Sequence, residues 1–123
     1  MSKLVGYMEG TNPQWLTTLQ MLGCDTLPLS NGQDGHGMNI QLLTQASKPD
    51  MIICWLHKLA WPKYYEVTPK ELLHSTEQYE IPVVIACPSE FHGQVPQVLG
   101  ELPQNVRLTD PDDVLALLRS ELT

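Results

Sequence analysis

"DMIICWLHK" (residues 50–58) is the stretch on which the fold turns. From Met51 to Trp55 it is an unbroken apolar run of strand length, opened by Asp50 and closed by the polar pair His57-Lys58. A strand with one wet face alternates apolar and polar residues. A strand without that alternation is covered on both faces, as in the centre of a parallel sheet between two helical layers. A second such run, "IPVVIAC" (81–87), follows after a helix-like segment at about 69–79. Strand, helix and strand at this spacing form one βαβ unit with a right-handed crossover.

Outward from this pair the chain keeps alternating. "KLVGYM" (3–8) reads as the first strand, and a helix over 13–22 turns Leu16 and Leu19 inward, with Trp15 a further candidate for the inner face. "DTLPLS" (25–30) is a second strand whose Pro28 lacks a ladder donor, which assigns it to an edge. "GMNIQLLTQAS" (37–47) has the spacing of a helix burying Ile40 and Leu43, with Leu42 beside them. Residues 95–102 make a poor helix carrying Pro96 and Gly100, "NVRLT" (105–109) is the fifth strand, and "PDDVLALLRSEL" (111–122) is a strong closing helix. The expectation is one α/β domain over residues 1–123. It is a doubly wound, five-stranded parallel sheet of flavodoxin-like order 2-1-3-4-5, with helices on both faces.

Three helix starts use one device. Asn12-Pro13, Thr68-Pro69 and Asp110-Pro111 each place a capping side chain before a proline at the first helical position. The cap oxygen accepts an orphan backbone N–H, and proline has none to leave unpaired. Glu71, three residues after Thr68, completes a capping box.

Bulk properties narrow the function. The chain has 123 residues, 14 acids against 7 bases, and a net charge of −7. Its Lys and Arg are scattered, whereas a nucleic-acid binder or an anionic-membrane binder needs them clustered. Neither partner is expected; an acidic surface suits solubility or a basic protein partner. The apolar runs are too short to span a bilayer, and the N-terminus goes straight into a strand, so the cytoplasm is the expected location. Cys24, Cys54 and Cys87 are odd in number and widely spaced, which reads as buried, reduced thiols.

Ligands of open α/β sheets bind beyond the carboxyl ends of the strands. Glu9, Gly10, Thr11 and Asn12 follow the first strand, and Asn31, Asp34 and His36 follow the second. His57 and Lys58 follow the third, and Ser89, Glu90 and His92 the fourth. The same loops carry the aromatic residues Trp61, Tyr64, Tyr65 and Phe91. Imidazoles and carboxylates could gather there around a divalent metal, but no pair stands at a ligand spacing such as H-x-x-x-H. Solvated loop histidines are the simpler expectation. No nucleophile elbow accompanies Cys87 or Ser89, so nucleophilic catalysis is poorly supported.

With "KPDMIICW" as a third strand, "IPVVIACP" as a fourth and "LTDPDDVLALLRSEL" as the last loop and helix, the chain resembles a response-regulator receiver domain over nearly its whole length. The resemblance implies an acid pair after the first strand, a phosphate-accepting aspartate after the third, a hydroxyl after the fourth and a lysine after the fifth. Here the acid pair falls on Met8 and Glu9, and the acceptor on Trp55. The hydroxyl falls on Cys87, with Ser89 two residues beyond, and the lysine falls near Asp110. Such a receiver is degenerate and cannot run the aspartyl-phosphate switch.

Two cofactor motifs are approached without being met. "DGHGMNI" is similar to the D-x-H-x-x-G motif of cobalamin-binding domains, but Asn39 stands at the glycine and the segment follows the second strand. "EGTNPQ" resembles a flavodoxin phosphate loop and "WPKYY" its flavin-stacking aromatics, though the loop lacks that family's run of Ser and Thr. The leading expectation is therefore a non-enzymatic, pseudo-receiver-like regulatory or protein-interaction domain. The apolar Val114, Leu115, Leu117, Leu118 and Leu122 of the last helix offer surface for a homodimer. The alternative is a protein that binds a small molecule (a flavin such as FMN, or a nucleotide) or a divalent metal at the strand ends.

Overall fold

A computed structural model describes residues 3–30, 37–59 and 69–122. Its strands are β1 (Leu4–Met8), β2 (Asp25–Ser30), β3 (Met38–Asn39), β4 (Met51–Trp55), β5 (Val83–Ala86) and β6 (Val106–Thr109). The helices are α1 (Pro13–Met21), α2 (Pro69–Leu72), α3 (His74–Gln78), α4 (Val95–Leu99) and α5 (Val114–Leu122). All strands pair in parallel, in the order β3-β2-β1-β4-β5-β6. No helix among the described residues is long and apolar enough to cross a membrane.

The unbroken runs behave as their composition requires. In β4, Ile52 and Cys54 enter one apolar cluster while Met51 and Ile53 enter the other; in β5, Val83 and Ile85 oppose Val84 and Ala86. One cluster gathers side chains of α2 and α4, and the other those of α1 and α5. Asp50 locks the register at the opposite end: its carboxylate accepts the Leu4 N–H at 2.8 Å, and its own N–H donates to the Leu4 carbonyl at 2.7 Å. All three cysteines are free and buried.

Three expectations are corrected. The sheet has six strands, so neither five strands nor the order 2-1-3-4-5 describes it, and β2 is not the edge. The added strand is possible because Gly37 passes so close to Pro28 that a Cβ on it would lie 2.5 Å from the Pro28 carbonyl oxygen, with φ at +111°. Met38 can then pair with Leu29, one residue past the proline that lacks a donor.

Residues 37–47 do not form an α-helix. After β3 comes one 3-10 turn over Ile40–Leu42, capped by the Asn39 side chain accepting the Gln41 N–H at 2.8 Å. Ile40 and Leu43 are buried, but Leu42 is 66% exposed. The third helix is two short ones, broken at Leu73 where ψ is 1°. The Thr76 hydroxyl donates to the Leu73 carbonyl there at 2.6 Å, and Asn105 donates to Thr76 at 3.1 Å. The Asn12 and Asp110 caps form as their sequence suggests, accepting the N–H of Gln14 and Asp112 at 2.9 Å each. Thr68 lies outside the described residues. All five apolar residues named on α5 pack into or against one cluster, leaving less surplus apolar face than their number suggests.

Candidate functional site at the strand exits

The carboxyl ends of β1, β4, β5 and β6 bring Glu9–Asn12, Trp55–Lys58, Cys87–His92 and Asp110 to one edge. Trp55 is its centre. The strand run carries it out between the layers, half-buried, with its ring 5.0 Å from that of the buried Trp15 and tilted by 35°. Its indole Nε1–H donates to the Gly10 carbonyl at 2.8 Å. Gly10 has φ at +84°, a backbone that a side chain would strain. Beside this bond Lys58 Nζ meets Glu9 Oε1 at 3.2 Å, so the exits of β1 and β4 are tied twice.

Thr11, Asn12, Ser89, His92 and Asp110 are also engaged. Thr11 is buried, and its hydroxyl donates to the Met8 carbonyl at 2.6 Å, while Asn12 caps α1. Across the sheet one Asp110 oxygen accepts both the Ser89 N–H at 3.0 Å and its hydroxyl at 2.8 Å; the other caps the Asp112 N–H. These donors hold the Asp110 carboxyl below its ordinary range, so it stays anionic. His92 Nε2–H donates to the Cys87 carbonyl at 2.6 Å. Burial pushes the Cys87 thiol up, and Asp110 adds to the shift; burial also raises Cys24 and pushes Cys54 up to about 12. A thiol so shifted is a poor nucleophile at neutral pH.

The described candidate histidines, His57 and His92, join no cluster of metal ligands among the described residues. His57 is exposed, His92 is partly buried in its own loop, and His36 lies outside the described residues, as do Trp61 and Tyr64. Among the described residues no three His, Cys, Asp or Glu side chains are placed to hold a metal ion. Residues 61–65, read as flavin-stacking aromatics, lie outside the described residues.

The structure adds an element that residue-by-residue reading did not resolve. Between the β4 and β5 exits runs an apolar groove of about 390 Å³, walled by Trp55, Leu56, Ala86, Pro88, Phe91 and Val95. Phe91 stands 47% exposed at its rim. Its signal in the sequence was the "CPSEF" turn, in which Pro88 starts a 3-10 segment and aims Phe91 back over the strand ends. A larger recess of about 990 Å³ lies at the opposite edge, by the starts of β4 to β6, where Glu77, Glu80, Glu101 and Glu121 face Lys70 and Arg107. None of the candidate site residues read from the sequence lines it.

No protein-family model and no curated protein matches this chain.

Proposed function

We propose that this is a non-catalytic, pseudo-receiver-like interaction domain that works by holding a protein partner at its strand exits. The observation that carries the reading is the bond from Trp55 Nε1–H to the Gly10 carbonyl. A receiver needs a hydrated carboxylate and a metal at that place. Here a large apolar ring fills it, and the ring's one polar atom is already satisfied inside the chain. The neighbouring Lys58, Ser89 and Asp110 are likewise engaged with protein groups, so chemistry would first have to break the edge. The unspent feature is apolar: the groove beside Trp55 and the ring of Phe91. Exposed aromatic rings over a pocket are the common anchors of protein interfaces. The proposal extends to the cytoplasm as its setting.

Thermal melting tests the reading. FMN, nucleotides, and Mg²⁺ with beryllofluoride would each be added at about one hundred times a plausible Kd, where a true ligand stabilises by roughly 2.7 kcal/mol. No shift is expected from any of them. A shift of several degrees with one would overturn the interaction reading in favour of a small-molecule or metal site. In parallel, a protein retained by the wild-type chain and released by Phe91→Ser, at unchanged melting temperature, would support it.

A further inference from the structure

We infer that the groove between the β4 and β5 exits receives one large apolar side chain from a basic segment of the partner, so that the partner is a cationic, amphipathic peptide stretch. This rests on the interaction reading above and gives the partner its chemistry. Two independent features select it.

The first is size and lining. At about 390 Å³ the groove is in the small-ligand range and has room for one large side chain. Trp55, Pro88, Phe91 and Val95 present apolar surface, and His57 and Gln94 are the polar side chains at its margin. A charged ligand would lose its hydration there without an opposite charge to replace it. An apolar side chain loses nothing.

The second is the charge around the rim. Glu90 is exposed one residue before Phe91. Asp110 is tied to Ser89 beside it, and Asp112 and Asp113 are exposed in the turn that Asp110 caps. Lys58 is the lone Lys or Arg among the described residues of these exits, and Glu9 neutralises it. The described residues on the β5–β6 side of these exits thus carry carboxylates and no Lys or Arg, within a chain of net charge −7. Lysines or arginines flanking the anchor would meet carboxylates on the β5–β6 side, which speeds encounter and rejects acidic partners.

The probe is a fluorescein-labelled short peptide of alternating lysine and serine around a central Leu-Phe pair, followed by anisotropy. Saturable binding is expected that weakens as salt rises. It should fall about tenfold when Leu-Phe becomes Ser-Gly, and about tenfold in Phe91→Ser, whose exposed ring can be removed without unfolding the chain. Combined Glu90→Gln, Asp112→Asn and Asp113→Asn should weaken it roughly threefold at low salt. No saturable binding, binding indifferent to Phe91→Ser, or equal binding of the peptide with glutamate for lysine would each overturn the inference.

Two other occupants have their own signatures. Binding that emerges only when residues 61–65 are replaced by Gly and Ser would assign the groove to the chain's own segment. Concentration-dependent self-association lost in Phe91→Ser would assign it to a second copy. Either result overturns the basic-peptide inference. Failure here is separable from failure of the interaction reading, which falls to a ligand-induced melting shift or to an unlocked Trp55 indole.

Discussion

The two sides of Trp55 are built differently. Toward β1 its indole edge is bonded to Gly10, its ring lies on Trp15, and Lys58 closes the same gap through Glu9. Toward β5 the same side chain forms one wall of an open apolar groove with Phe91 at its rim. One side has its polar groups satisfied and its rings packed; the other leaves apolar surface uncovered. The difference separates what a strand-exit edge needs in order to react from what it needs in order to be touched. Reactive edges keep polar groups available and water near them, whereas contact edges keep apolar area.

Substitutions on the closed side should be felt as stability. Trp15→Ala removes a ring that is 3% exposed and should cost about 3–5 kcal/mol in denaturant unfolding. Trp55→Ala, half-buried and with one bond to lose, should cost about 2 kcal/mol. If Trp55→Ala cost nothing, the closed side would not be closed. Gly10→Ala should cost about 1–2 kcal/mol, because its backbone sits at φ +84°. That variant should also weaken the Trp55 bond, since the Gly10 carbonyl must turn toward the indole. Glu9→Gln tests the second tie: the pair is 46% exposed on the glutamate side, so a loss below about 1 kcal/mol is expected, shrinking further in salt.

The smallest effect is confined to acid. Asp110 is lowered first by the Asp112 N–H, then by the backbone and hydroxyl of Ser89. A carboxyl whose folded pKa lies below its unfolded one adds stability above the unfolded value of 3.8 and loses it as pH falls through the lower, folded value. Wild type and Asp110→Asn should therefore differ in melting temperature at neutral pH and converge in strong acid. A constant difference across that range would separate Asp110 from the groove-side loop it is said to hold.

The same contrast marks how far the sequence could be read. Unbroken runs at 51–55 and 83–86 announce central strands because only a strand covered on both faces tolerates them, and the Asn12 and Asp110 caps are local devices legible at a distance of two residues. The segment from Met38 to Leu43 was misread because Ile40 and Leu43 recur at helical spacing, while the deciding facts are the free outer edge of β2 and the fit of Gly37 against Pro28. Among the residues at the exits, types were legible and partners were not. The acceptor for Trp55 lies 45 residues away, and the partner of Ser89 lies 21 away. Reading His92 as a solvated loop histidine missed its inward bond to the Cys87 carbonyl, which depends on the tight turn after Pro88.

The most direct measurement is hydrogen exchange and chemical shift of the Trp55 indole N–H by NMR, assigned with Trp55→Phe, before and after adding Mg²⁺ with beryllofluoride. A bonded, locked indole predicts exchange slowed well below that of a free indole, and a resonance that stays where it was. Exchange at the free-indole rate, or a resonance that moves on addition, would show an edge open to chemistry and contradict a domain that works by contact.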